Sequence, residues 1–152
     1  MKFFADEMLG KLARWLRMSG VDVAYQRQIS DAELVARSRS EGRVLLTRDT
    51  RLILTLSPEE FLFIAHDYLE EQFEQFRGRF SGALSRASAF SRCVECNEPL
   101  RDISKEAVAD KVWPYVFATQ EHFTTCPGCG RIYWQATHVR KIYERLEKLG
   151  VR

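Results

Sequence analysis

Residues 2–25 read KFFADEMLGKLARWLRMSGVDVAY. Lys2 to Ala5 is a short apolar run that predicts a strand. Leu9, Leu12, Ala13 and Leu16 then recur at i, i+3, i+4 and i+7, which predicts a helix over Leu9 to Met18. Gly20 ends that helix, and Val21 to Tyr25 predicts a second strand. Strand, helix and strand in so short a span are the unit of a parallel sheet, because parallel neighbours need a crossover between them. The pattern continues outward. Ser30 or Asp31 caps a helix through Ser38 that Gly42 stops, and Arg43 to Thr47 (RVLLT) predicts a buried strand. A short turn holding Leu52 and Ile53 follows, then a fourth strand, Phe61 to Ala65. Asp67 and Glu70 have the spacing of a capping box for a further helix with Leu69, Phe73 and Phe76 on one face. The fold class expected is α/β, a parallel sheet flanked by helices over residues 1–76.

From Arg77 to Arg92 the chain reads RGRFSGALSRASAFSR, with four Arg, four Ser and no acid. Residues 77–90 are read as an Arg/Ser-rich connector, packed through Phe80, Leu84 and Phe90 rather than floating free. Beyond it, Cys93-Val-Glu-Cys96 and Cys126-Pro-Gly-Cys129 hold all four cysteines. Two residues between cysteines let both thiolates of one turn reach an ion about 2.3 Å away, so two such turns make a closed structural zinc site. Asn97 and Gly130 follow the second cysteine of each pair, where a residue tolerant of positive φ is needed. Disulfides and a redox CxxC are the alternatives, and His122 or His138 could serve as substitute ligands. Residues 91–152 are therefore expected to form a small zinc ribbon with a closing helix, His138 to Leu149.

Asp6, Asp49 and Asp67 each follow a predicted strand end. Ligands of open parallel sheets bind outside the carboxyl ends of the strands, so these residues, with Asp31 at the start of the second helix, are expected on one rim. Packed carboxylates repel unless a cation neutralises them, and Mg²⁺ or Mn²⁺ suits oxygen ligands while keeping water in its shell. Asp6, Asp31 and Asp67 also suit helix N-caps. Arg14, Arg17 and Arg48, near the rim in sequence, are candidates to clamp phosphate, or else sit on solvated faces.

Composition narrows the classes. With 45% hydrophobic and 29% charged residues, the 152-residue chain is neither disordered nor low in complexity. Its apolar runs fall far short of the roughly 20 residues that span a bilayer, and Met1-Lys2-Phe3-Phe4 has no signal-peptide pattern, so no membrane and a cytoplasmic location are expected. Up to Phe76 there are 10 basic and 13 acidic residues, and after it 13 basic and 8 acidic. An acidic front and basic back suit a metal site and a polyanion respectively.

The segments FFADEMLGKLARWLRMSGVDV (3–23), SDAELVARS (30–38), GRVLLTRDTRLI (42–53), SRCVECNEPL (91–100) and FTTCPGCGRIYW (123–134) resemble the Mut-seven C-terminal RNase domain family. The motifs that carry the likeness are D-x-x-L-G-K-L-A-R-x-L-R, L-L-T-R-D and R-C-x-x-C-N. The resemblance implies a PIN-like nuclease domain followed by a zinc ribbon, and metal-dependent ribonuclease activity at Asp6, Asp31 and Asp49. Arg14, Arg17 and Arg48 would position single-stranded RNA, and Cys93, Cys96, Cys126 and Cys129 would hold one structural zinc. A fourth acidic group would come from Asp67, Glu7 or Glu33. Two rivals stand beside it. One is a non-catalytic RNA-binding adaptor that uses the ribbon and basic surface; the other is a receiver-like phosphotransfer domain, for which the usual Lys on a later strand is missing.

Overall fold

Each strand of the front half is followed by a segment that carries the chain back across the sheet. The computed structural model describes residues 1–151, the side chains of Thr137 and His138 excepted, so His138 as a ligand lies outside the described residues. β1 (Lys2–Ala5), β2 (Asp22–Tyr25), β3 (Val44–Thr47) and β4 (Phe61–Phe63) form one parallel sheet in the order β2-β1-β3-β4. Helix α1 (Gly10–Met18) joins β1 to β2, and α2 (Asp31–Glu41) crosses β1 to reach β3. Only a 3₁₀ turn, Leu52–Thr55, separates β3 from β4. Helix α3 (Leu69–Phe80) follows and runs past Phe76 into the segment read as connector.

Alternate residues of a strand point to opposite faces, and the sheet is apolar on both. Phe3 and Ala5 go to one side, with Leu12 and Leu16 of α1 and Phe73 and Phe76 of α3. Phe4 goes to the other, with Leu34, Leu45 and Leu52. The rings of Phe3, Phe76 and Phe80 stack edge-on or tilted at centroid distances of 4.8 to 5.5 Å. The connector contributes Leu84, Ala89 and Phe90 to the first core.

The back half is a three-stranded antiparallel sheet of β5 (Arg101–Ile103), β6 (Phe123–Thr125) and β7 (Ile132–Trp134), with α4 (Pro114–Thr119) between β5 and β6. Helix α5 (Thr137–Lys148) closes the chain. Chain position groups α5 with the ribbon, yet Leu146, Leu149 and Val151 are buried in the α/β core beside α1 and α3. Among the described residues no helix is long and apolar enough to cross a membrane.

Helix ends follow local chemistry. The Ser30 hydroxyl accepts from the Glu33 N–H at 3.2 Å and caps α2, while Gly42, at φ 64°, ends it. The capping box expected at Asp67 and Glu70 does not form. Tyr68 occupies the N-cap without a side-chain bond, and the Gln72 amide holds the preceding turn by donating to the His66 and Asp67 carbonyls. The free edge of β4 is covered by α3, where Arg79 donates to the Phe61 and Pro58 carbonyls and Gln75 to that of Phe63. Such side-chain cover removes a template for unwanted strand pairing.

Gly20 ends α1 at φ 85°, and a Cβ built there would lie 2.1 Å from the carbonyl oxygen of Ser88 in the connector. Left-handed backbone strain and a clash with main chain therefore act together. Gly20→Ala is expected to lower unfolding free energy by about 3 kcal/mol, measured by urea denaturation. Unchanged stability would contradict this packing.

Candidate functional site

The apolar strand β3 ends in Thr47, and that hydroxyl organises the carboxyl-end rim of the sheet. Thr47 is fully buried. Its Oγ1 donates to Asp6 Oδ2 at 2.6 Å and accepts from the Asp49 N–H at 3.0 Å. Asp6, directly after β1, extends the ladder by donating its N–H to the Leu46 carbonyl. It is 7% exposed, and its Oδ1 accepts from the Glu7 N–H at 2.7 Å as the cap of the 3₁₀ turn Glu7–Leu9. Capping and rim placement are thus combined in Asp6, one oxygen serving each. The Asp49 Oδ1 accepts from the N–H groups of Leu52 and Arg51 at 3.0 and 2.7 Å. These two donors hold its carboxyl below the usual carboxylate range. Asp31 opens α2 and is exposed, on the same end of the sheet by topology. Thr47 was missed by sequence reading, although a lone hydroxyl closing an apolar strand two residues before an aspartate is a visible signal.

The other predicted residues distribute differently. Arg48 is on the rim and its Nη2 donates to Asp67 Oδ1, so Asp67 is an ion-pair partner there rather than a helix cap. Glu7 and Glu33 have exposed side chains. Arg14 faces away from the rim and pairs with Glu95 at 3.1 Å. Arg17 is 5% exposed and is directed away from the rim as well. It follows Ala13 by one turn on the buried face of α1, and its guanidinium meets main-chain carbonyls: Nε donates to Val23 at 2.8 Å, and Nη1 to Val94 and Glu95 at 3.0 and 2.9 Å.

That guanidinium leads to the four cysteines. Among the described residues, Cys93, Cys96, Cys126 and Cys129 are the one group of three or more possible metal ligands with all ligand atoms within 4.8 Å of one another. The rim carboxylates do not converge to that degree. Sulfur separations of 3.1 Å for Cys96 and Cys126 and 3.7 Å for Cys93 and Cys129 approach the about 3.8 Å edge of a tetrahedron with 2.3 Å zinc–sulfur bonds. The two turns match. Asn97 and Gly130 adopt φ of 70° and 74° and return their N–H groups to the Cys93 and Cys126 carbonyls at 3.0 and 2.9 Å. The Tyr133 hydroxyl lies 3.1 Å from the Cys93 sulfur. Burial and that sulfur push the phenol above its ordinary range. The donor set therefore fits a closed structural ion such as zinc.

Asn97 does a second job. Its Oδ1 accepts from the Val23 N–H at 3.0 Å, while its Nδ2 donates to Asp22 Oδ1 at 2.7 Å. Arg43 also donates to that oxygen, at 2.6 Å. Burial opposes the Asp22 charge, but the Arg43 and Asn97 bonds outweigh it and keep the carboxyl below its usual value. The first cysteine turn is thereby fastened along the outer edge of β2.

A family model described as Mut7-C RNAse domain matches residues 1–146. No curated protein and no solved structure matches the chain.

The four-cysteine geometry predicts one zinc per chain by atomic absorption. Cys96→Ser should lose that ion and lower the melting temperature, since structural zinc is coupled to folding. Retention of a full equivalent by this variant would contradict the four-thiolate site.

Proposed function

The chain belongs to the Mut7-C RNAse domain family, and from that premise we propose that it is a metal-dependent ribonuclease that hydrolyses RNA phosphodiester bonds at a PIN-like rim. The observation that carries the reading is the Asp6, Thr47, Asp49 chain of hydrogen bonds. It presents two carboxylates at the ends of the adjacent central strands β1 and β3, the place where open parallel sheets bind ligands.

Asp6 and Asp49, with Asp31 from α2, would hold the ion. Mg²⁺ is commonly bound by one or two carboxylates plus substrate phosphates, without an all-protein cage, which suits carboxylates that do not converge. A bound Mg²⁺ or Mn²⁺ supplies an activated water and neutralises charge developing on the phosphate. The protein's own work is placement. Thr47 fixes the Asp6 carboxylate from one side, and the Glu7 N–H fixes it from the other. The Leu52 and Arg51 N–H groups hold Oδ1 of Asp49 and favour its ionised form. Arg48, paired with Asp67, brings a guanidinium that can exchange a carboxylate for a phosphate of single-stranded RNA, since both match its planar fork.

The test compares cleavage of labelled single-stranded RNA by wild type and Asp49→Asn, with Mn²⁺, with Mg²⁺ and with EDTA. Asn keeps the Oδ1 acceptor for the Leu52 and Arg51 N–H groups, so the fold is retained while the charge is lost. Cleavage should need metal and fall by about 10² to 10³ in the variant. RNA binding without cleavage in the wild type would favour the non-catalytic adaptor.

A further inference from the structure

One face of the ribbon sheet overlooks a groove of about 530 Å³, walled on its other side by α1, the connector and α5. This volume is within the range of small-ligand sites. The strand register defines its floor. Asp102, Thr124 and Tyr133 lie directly opposite one another across β5, β6 and β7, and so share one face. Gln135, two residues beyond Tyr133, also lines the groove. Asp102 is exposed and Thr124 half-buried, both line the groove, and among the described residues neither side chain meets a protein hydrogen-bond partner.

The walls differ in kind. Met18, Phe90, Ile142 and Tyr143 present apolar and aromatic surface, with the Phe90 and Tyr143 rings 4.7 Å apart and tilted. Arg14, Arg92 and Lys105 also line the groove, paired with Glu95, Asp22 and Glu121, carboxylates that a phosphate can replace on each cation. Flat aromatic surface, a polar floor and cations at the margin are the combination that captures an unstacked base of single-stranded RNA, by stacking, edge recognition and phosphate contact respectively. Helix α1 connects this place to the rim. It begins four residues after Asp6, and its Arg14 and Met18 reach the groove about 6 and about 12 Å further along the axis.

We propose that the groove takes up an unpaired guanine of the RNA substrate away from the bond cut at the rim, and so gives the enzyme a base preference. The proposal rests on the RNA-cleaving reading. Asp102 supplies the selection. Two carboxylate oxygens match the adjacent N1–H and N2–H donors of guanine, whereas uracil offers one donor flanked by two carbonyl oxygens that a carboxylate repels.

The experiment measures binding by fluorescence anisotropy, using zinc-loaded full-length Asp49→Asn protein so that nothing is cut. The probes are a uridine oligomer and the same oligomer with a single guanosine. Guanosine should tighten binding by about tenfold, and adding Asp102→Asn or Asp102→Ala should bring the two oligomers level with zinc content unchanged. Equal binding of both oligomers, or a preference that survives both Asp102 changes, would overturn the groove. The two readings fail separately. Guanine selectivity in a wild-type protein that cleaves nothing removes the nuclease and leaves the groove. Metal-dependent cleavage without selectivity removes the groove and leaves the rim.

Discussion

Val23 lies on the outer edge of β2, and its N–H and C=O are taken by Asn97 and Arg17. The first cysteine turn is attached there through the Asn97 bonds to Val23 and Asp22 and through the Arg17 bonds to the Val94 and Glu95 carbonyls. A sheet edge carries unpaired backbone groups that invite another chain, and the first cysteine turn fills that place from within the molecule. The same Asn97 whose positive φ bends the chain under the sulfurs also reads the strand, and Arg17 ties both to the Val94 and Glu95 carbonyls. The ribbon sheet and its loops bury little: among the described residues, Cys93, Val108, Phe123 and Cys126 are their buried apolar residues. A module with so small a core needs an ion and a neighbour, and it has a four-thiolate centre and the edge of β2.

On the proposed reading, this arrangement separates two kinds of metal chemistry. Soft thiolates in a closed tetrahedron leave an ion no open position, so the cysteine centre is suited to structure. The oxygen donors of the proposed catalytic ion are on the rim, where Thr47 links Asp6 and Asp49 across β1 and β3. The centre grips the side of the sheet and the carboxylates crown its end, with the rigid strands between them. Loss of the first would loosen an edge strand, while loss of a rim charge would leave the fold standing.

Elements whose signal is local were legible in the sequence. β1 falls at Lys2 to Ala5 as its apolar run predicts, α2 is capped by Ser30 and stopped by Gly42, and the cysteine spacing does bring four sulfurs together. What depended on distant contacts was not. Arg17 has the composition of a surface residue, and its burial rests on the Val23 carbonyl of the next strand and on the Val94 and Glu95 carbonyls 77 and 78 residues away. Asp67 has capping-box spacing, but Arg48, in the loop after β3, competes for it. The closing helix follows the ribbon in sequence, yet its apolar seam matches α1 and α3. Periodicity shows that such a face exists without naming what it meets. Thr47 and the row of Asp102, Thr124 and Tyr133 depend on strand register, which a linear reading of short strands does not supply.

The most direct test of the clasp on β2 is amide hydrogen exchange at Val23, followed by NMR before and after the metal is removed with a chelator. The Leu45 amide, which donates to the Glu60 carbonyl in the sheet interior, serves as the internal reference. Protection at Val23 should collapse on metal removal while Leu45 stays slow, because the turn that presents Asn97 is then no longer held. A Val23 amide as protected without metal as with it would show that the cysteine centre does not secure the edge.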